Sequence, residues 1–267
     1  MAEPENQNND PTPDNVAMTP EARKRRRTVY LVPNLLTTTA LFAGFYAIIA
    51  AINGNFSNAA VGIFVAMVFD GLDGRVARLT HTQSEFGANY DSMSDLIAFG
   101  LAPALVAFLW SLESLDQVGW GAAFVYTAAA ALRLARFNVQ LGSVDKKYFI
   151  GLASPAAAAM VAGTIWAFND MGFEGNDLAW LMVVLVPGLG CLMVSNIRYY
   201  SFKDFGLRGS IPFTAVLLVI LAFVVVAVDP PIVLLLLFIA YAASGPVMEV
   251  WRRMKRRSQG EPEADKD

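Results

Sequence analysis

Charged residues are scarce in this chain of 267 residues, at 16% of the sequence, whereas hydrophobic residues make up 55%. A soluble domain usually has about 25% charged residues, so this deficit argues against a water-soluble fold and indicates a membrane protein. The single cysteine, Cys191, excludes an intrachain disulfide. No cleavable signal peptide is expected, because the first apolar run begins after residue 28 and lacks a small-residue cleavage pattern.

Long apolar runs occupy most of the sequence between two polar ends. A spanning helix needs about 20 mostly apolar residues, and this length predicts an all-α, polytopic membrane protein with about eight transmembrane helices. Asp229-Pro230-Pro231 separates the last two helices, because proline interrupts a helix interior. The predicted spans are 33–53, 57–79, 93–111, 118–141, 148–168, 178–196, 210–228 and 231–250.

Lysine and arginine are absent from the loops on one side of this layout, which are 53–57, 111–117, 169–177 and Asp229. If the amino terminus lies in the cytosol, the basic clusters fall at or near cytosolic ends, as the positive-inside rule requires. We therefore expect both termini in the cytosol. The polar ends predict disordered tails at 1–28, which includes Arg23–Arg27, and at 252–267.

Four aspartates form a constellation in the second and third predicted spans. Asp70 and Asp73 are three residues apart, and Asp91 and Asp95 are four apart, so each pair lies on one helix face. A short connection makes these helices antiparallel neighbours, so the four carboxylates can converge. One aspartate at the bilayer centre costs about 2.5–3.5 kcal/mol, and clustered like charges disfavour ionisation. A divalent cation with oxygen ligands, Mg²⁺, Mn²⁺ or Ca²⁺, would offset both costs.

Two other interpretations of the acidic residues stay open at this stage. Arg75 and Arg78 could neutralise two aspartates in structural ion pairs, although the other carboxylates and Glu85 would then lack partners. A cation transporter could also use intramembrane carboxylates. Transporters usually place them near the midplane and often contain two related halves. Here the acids cluster near one face, and the carboxyl-terminal half has no second acidic pair within a span.

The segment with the aspartates resembles the signature of the CDP-alcohol phosphotransferase family. The pattern D-x2-D-G-x2-A-R-x8-G-x3-D-x3-D is filled at every defined position from Asp70 to Asp95. Ala153 stands where the phosphatidylserine synthase branch of this family usually has a proline, and the last two spans add nothing to the resemblance. Other segments that look like this branch are Pro33–Thr37, Arg133–Asn138, Phe149–Pro155 and Ser195–Tyr199.

The resemblance implies a metal-dependent enzyme that transfers a phosphatidyl group from CDP-diacylglycerol to L-serine and releases CMP. Glycerol 3-phosphate, inositol phosphate and choline stay open as acceptors. The resemblance further implies a six-helix catalytic core over residues 29–209, two additional spans over 210–251, Mg or Mn as cofactor, and a homodimer surrounded by membrane lipids. It also implies a bacterial inner membrane, and the layout places the active site on the cytosolic side. No nucleic acid partner is expected.

The resemblance also gives roles to single residues. Asp70, Asp73 and Asp91 would coordinate the metal, and Asp95 would lie beside it as a further ligand and as the general base. Apart from the resemblance, the carboxylate of serine calls for a bidentate donor, which arginine supplies best; Arg133 and Arg136 could equally hold a phosphate of CDP or an anionic lipid head group. His81 is expected to be an ordinary loop residue. The candidate CDP-diacylglycerol contacts are Asn34, Thr37, Gly74, Ala77, Arg78 and Gly87, and the candidate acceptor contacts are Arg133, Arg136, Asn138 and Lys203.

Overall fold

The computed structural model describes residues 20–80, 82–140, 148–200, 217, 221 and 224–258. These residues are helical apart from short connections and one pair of three-residue strands, which confirms the predicted all-α membrane protein. The helices are α1 (Pro20–Ile52), α2 (Phe56–Leu79), α3 (Glu85–Asp95), α4 (Ala102–Trp110), α5 (Asp116–Gln140), α6 (Ser154–Asp170), α7 (Ala179–Val194) and α8 (Pro230–Ser258), and the strands are β1 (Tyr148–Ile150) and β2 (Arg198–Tyr200).

Five helical stretches among the described residues are long and apolar enough to cross a membrane. Two further helices lie where spans were predicted: α2, whose hydropathy is lowered by its aspartates and arginines, and α6, which has only 17 residues. The predicted span 210–228 lies mostly outside the described residues, so the number of eight spans stays a prediction. The five stretches are Val32–Ile52, Glu85–Trp110, Leu112–Val139, Gly175–Val194 and Pro230–Trp251.

Several boundaries differ from the predicted ones. α1 begins at Pro20 and α8 ends at Ser258, so residues 20–28 and 252–258 are helical where disordered tails were predicted. The third predicted span was expected to begin at residue 93, but α3 begins at Glu85, because Ser84 caps it by accepting a hydrogen bond from the Gly87 N–H at 3.0 Å. Residues 1–19 and 259–267 lie outside the described part of the chain.

Small side chains bring the helices close together. The alanines Ala156–Ala159 of α6 are all buried. A Cβ atom on Gly62 of α2 would lie only 3.1 Å from the carbonyl oxygen of Ala43 in α1. Such close approach is typical of membrane helices, which associate through van der Waals packing at small residues. The α1–α2 pair is therefore tightly packed, which brings the acidic end of α2 against α1.

A π-helical turn, Leu96–Leu101, joins α3 to α4 directly after Asp95. Tyr126 of α5 is fully buried, and its hydroxyl donates a hydrogen bond to the carbonyl oxygen of Phe99 at 3.1 Å. Turns of this kind are rare, and those that occur are frequently found at functional sites. Because a π turn contains an extra residue, it shifts the helical register between the polar face of α3 and the apolar face of α4.

Gly44 of α1 packs against this π turn, and its replacement tests that contact. A Cβ atom on Gly44 would lie 2.7 Å from the Cα atom of Ala98. We therefore expect Gly44→Val to lower the free energy of unfolding by about 1–3 kcal/mol, measured as a lower thermal unfolding midpoint in detergent. Gly121→Ala is the control, because no atom lies within 4 Å of its Cβ position. Equal midpoints for the two variants would contradict the tight contact.

The two strands connect the start of α6 to the end of α7. They are antiparallel, with Phe149 opposite Tyr199. Gly151 follows β1 with φ of +80°, and its N–H donates to the carbonyl oxygen of Ile197 at 2.8 Å. A Cβ atom at this position would overlap the carbonyl oxygen of Met193, so only glycine fits. The predicted span 148–168 is therefore wrong at its start, because a strand and a turn precede α6.

Candidate functional site

Three aspartates from two neighbouring helices meet at one point. Asp70 lies in α2, and Asp91 and Asp95 lie on one face of α3. One carboxylate oxygen from each lies within 4.8 Å of those from the other two. The carboxyl groups of Asp70 and Asp95 are close enough to share a hydrogen bond. Like charges at this range disfavour ionisation, and a proton or a cation between the carboxylates would relieve the repulsion.

Asp73, the fourth predicted ligand, lies beside this group but is not one of the three. It is only 4% exposed, and its Oδ2 atom accepts a hydrogen bond from the hydroxyl of Thr37 at 2.7 Å. Its charge interacts with those of Asp70 and Asp91. Ser94 of α3 donates to the backbone carbonyl of Thr37 at 3.2 Å. Helix α1 thus holds Asp73 and links it to α3.

The donor atoms of this acidic group fit a hard divalent cation. All are carboxylate oxygens, which Mg²⁺ and Mn²⁺ prefer. The Oδ1 atom of Asp91 is buried and has no hydrogen-bond partner among the described residues, and a buried acceptor without a partner costs free energy. Arg75 and Arg78 are exposed, whereas the three carboxylates are partly buried, so structural ion pairs do not account for the cluster.

The candidate nucleotide contacts lie along α1, α2 and the start of α3. A Cβ atom on Gly87 would lie 3.4 Å from the side-chain oxygen of Asn34, so these two residues are adjacent. Arg78 lies next to Gly74, where the Cβ position is 3.6 Å from its Nη1 atom. Ala77 is half-buried on the same helix. Thr37 contacts Asp73, as described above. The structure therefore brings the predicted contacts into the neighbourhood of the aspartates.

Arg133 of α5 is the predicted acceptor contact whose surroundings best suit the binding of a ligand. Its Nη1 atom donates to the hydroxyl of Ser154, which is fully buried at the start of α6, at 2.9 Å. Its Nε atom is buried and has no hydrogen-bond partner among the described residues. Its charge interacts with that of Asp95. An unpaired donor therefore lies on the same side of the molecule as the acidic group.

Arg136 and Asn138 make contacts between helices. The guanidinium of Arg136 donates to the side-chain oxygen of Asn196 at 2.7 Å and to the carbonyl oxygen of Val194 at 3.3 Å. The side-chain amide of Asn138 donates to the hydroxyl of Ser92 at 3.1 Å. These bonds tie α5 to the end of α7 and to α3. Lys203, the remaining candidate acceptor contact, and His81, the predicted loop residue, lie outside the described residues.

Two features of the segment before α6 were not evident from the sequence. Ser154 lies in the segment Phe149–Pro155 and has no role predicted from the sequence, whereas in the structure it is the partner of Arg133. Its position after Gly151 and before Pro155 was the sequence feature that could have indicated this role. Ala153 has φ of −62°, a value that proline also adopts. The backbone conformation at Ala153 is therefore one that the usual proline would also fit.

Residues 30–190 match the family model described as CDP-alcohol phosphatidyltransferase. Three similar relatives are each named CDP-diacylglycerol–serine O-phosphatidyltransferase. The one from Helicobacter pylori is 40% identical over 175 residues, 66% of this chain and 74% of the relative. Those from Mycobacterium tuberculosis and Bacillus subtilis are 31% and 30% identical, cover 84% and 64% of this chain, and are themselves covered over 79% and 91%.

Proposed function

Because this chain belongs to the CDP-alcohol phosphatidyltransferase family, we propose that it transfers a phosphatidyl group from CDP-diacylglycerol to L-serine and releases CMP. The names of its relatives support serine as the acceptor. The structural observation behind the proposal is a group of three carboxylates near an arginine whose Nε atom has no partner among the described residues. Such a site offers ligands for a cation and a donor for an anion.

The acidic group is the proposed metal site. Asp70, Asp91 and Asp95 would hold Mg²⁺ or Mn²⁺. Asp73, which accepts a hydrogen bond from Thr37, would add a fourth negative charge beside them. A divalent cation bound there would offset the charge of the pyrophosphate in CDP-diacylglycerol. Asn34, Gly74, Ala77, Arg78 and Gly87 would contact the nucleotide beside this site.

Arg133 is the proposed contact for the carboxylate of serine. A carboxylate binds arginine best through two parallel hydrogen bonds, for example to Nε and one Nη atom. Ser154 uses the Nη1 atom of Arg133 and fixes the guanidinium, and the buried Nε is left for the substrate. Arg136 and Asn138 already donate to neighbouring helices, so we assign them the positioning of α5. Lys203 stays a predicted acceptor contact.

Asp95 is the proposed general base. Its charge interacts with that of Arg133, so serine held at Arg133 by its carboxylate would lie near Asp95. Asp95 would accept the hydroxyl proton as the serine oxygen attacks the phosphorus that bears diacylglycerol. The bond between this phosphorus and the bridging oxygen would break, and CMP would leave with the electron pair. Positioning and charge stabilisation are expected to supply most of the rate enhancement.

The location and assembly of the protein belong to the same proposal. The five apolar stretches support an integral membrane protein. We propose the bacterial inner membrane, with both termini and the aspartates on the cytosolic side, because the basic clusters lie at or near that face. On this side a water-soluble acceptor can reach the site, and the acyl chains can remain in lipid. The proposed assembly is a homodimer.

The choice of acceptor can be measured by the release of CMP. Purified protein in detergent is given CDP-diacylglycerol, Mg²⁺ and one of four labelled acceptors: L-serine, glycerol 3-phosphate, inositol phosphate or choline. We expect CMP release and a labelled lipid with serine only. CMP release with a different acceptor would support the same transfer reaction and would contradict serine as the acceptor. Cation flux into liposomes without any CMP would instead indicate a transporter.

A further inference from the structure

Helix α8 lies outside the residues matched by the family model, yet it packs on the helices of the site. A Cβ atom on Gly163 of α6 would lie 3.4 Å from the Cα atom of Leu235, so the two backbones approach closely there. The rings of Phe64 in α2 and Phe238 in α8 are 6.3 Å apart, a usual distance for packed aromatic side chains. The helix is thus an integrated part of the described structure.

Tyr199 of β2 contacts α8 at two points. Its side chain is fully buried, and its hydroxyl donates to the carbonyl oxygen of Ala242 at 3.1 Å. Its ring lies on Gly245, where a Cβ atom would overlap the ring. A larger residue at 245 would therefore push α8 away from β2. The hydrogen bond limits sliding along α8, and the glycine contact sets the distance between the two elements.

The same strand also positions the partner of Arg133. Tyr199 pairs with Phe149 of β1, and the chain then turns at Gly151 towards Ser154. The N–H of Leu152 donates to the carbonyl oxygen of Leu192 at 3.0 Å, which holds this turn against the end of α7. The position of the Ser154 hydroxyl therefore depends on the strand pair that α8 contacts.

Tyr241 lies one helical turn before Gly245, on the same face of α8. Its ring is 5.7 Å from that of Tyr199 at an angle of 41°. The side chain is half-buried, and its hydroxyl is near enough to Arg133 for the two groups to interact electrostatically. Arg133 therefore interacts electrostatically both with Asp95, which belongs to the acidic group, and with Tyr241, which belongs to α8.

We infer that α8 forms one wall of the acceptor pocket, with Tyr241 as a specificity-determining residue beside Arg133, and with Tyr199 and Gly245 as positioning residues. This inference rests on the proposed function, because it takes Arg133 as the contact for the acceptor carboxylate. A phenol hydroxyl can accept a hydrogen bond from a guanidinium or donate one to a carboxylate. Tyr241 would thus orient both Arg133 and the bound serine.

The test separates serine binding from lipid binding. Tyr241→Phe removes one hydroxyl group and preserves the ring that packs on Tyr199. We expect the KM for serine to rise about five- to tenfold, the effect of one lost hydrogen bond, with the KM for CDP-diacylglycerol within about twofold. Gly245→Ala should raise the KM for serine in the same direction by moving α8. Tyr46→Phe, at an exposed position of α1, is the matched control and should change neither constant.

Two outcomes would overturn the inference. In the first, Tyr241→Phe leaves the KM for serine unchanged. In the second, it raises both KM values equally and lowers the thermal midpoint by more than about 4 °C, as a loss of packing would. Arg133→Gln distinguishes the failure of this inference from that of the proposed function. If Arg133→Gln raises the KM for serine and Tyr241→Phe does not, only the role of α8 fails. If Arg133→Gln has no effect, the proposed acceptor site is wrong.

Discussion

Asp95→Asn is expected to lower kcat by about 10²–10⁴-fold, which is the usual contribution of a general base. Asparagine has nearly the same shape and retains one side-chain oxygen, but it does not accept a proton from serine. The binding of CDP-diacylglycerol should therefore change little. The two quantities are measured separately, kcat by CMP release at saturating substrates and binding by titration of the lipid without serine.

The matched control for this variant is Asp170→Asn. Asp170 ends α6, which has 17 residues, so it lies about 25 Å along the helix from Ser154. It accepts a hydrogen bond from Ser57 at 2.8 Å. This variant should retain the kcat of the unchanged protein. Near-normal turnover in Asp95→Asn would show that another group accepts the proton of serine.

Removal of divalent cations is the second large effect expected. Treatment with EDTA should reduce CMP release to background, and added Mg²⁺ or Mn²⁺ should restore it. Asp91→Asn should raise the Mg²⁺ concentration needed for half-maximal activity at least about tenfold, since even the residues that only support metal ligands often cost that much. The Oδ1 atom of Asp91 is buried without a partner among the described residues. It is therefore expected to be a ligand of the cation, and the loss of its charge should weaken cation binding.

Asp177→Asn provides the comparison for the metal titration. Asp177 is exposed in the short helical turn before α7, far along the sequence from the acidic group. Its Mg²⁺ dependence should match that of the unchanged protein. Full activity in EDTA, or an unchanged Mg²⁺ requirement in Asp91→Asn, would argue against a catalytic cation at this site.

The acidic group could be predicted because its geometry is local. Residues three or four apart on a helix share a face whatever surrounds the helix, so the spacings of Asp70–Asp73 and Asp91–Asp95 were sufficient to place each pair. The short connection then made the two helices neighbours. Only the distances in the structure separate Asp73 from the other three aspartates, because Thr37 holds Asp73 beside the three carboxylates that meet.

The acceptor side was harder to predict, because its contacts join distant parts of the chain. Arg133 and Arg136 are one turn apart and carry the same charge, so sequence spacing did not separate them. Their surroundings differ: Arg136 bonds to Asn196 and the end of α7. Arg133 bonds to Ser154 and retains a buried Nε atom without a partner among the described residues.

The sequence by itself determined the membrane character, the helical class and the aspartate pairs, since hydropathy and helical periodicity act over neighbouring residues. Tertiary structure alone decided the π turn after Asp95, which buried Tyr126 supports, and the contact of α8 with Tyr199. These features depend on hydrogen bonds and close packing between residues that are far apart in the chain. No local pattern specifies such contacts, because each one forms only when the whole bundle brings its two partners together.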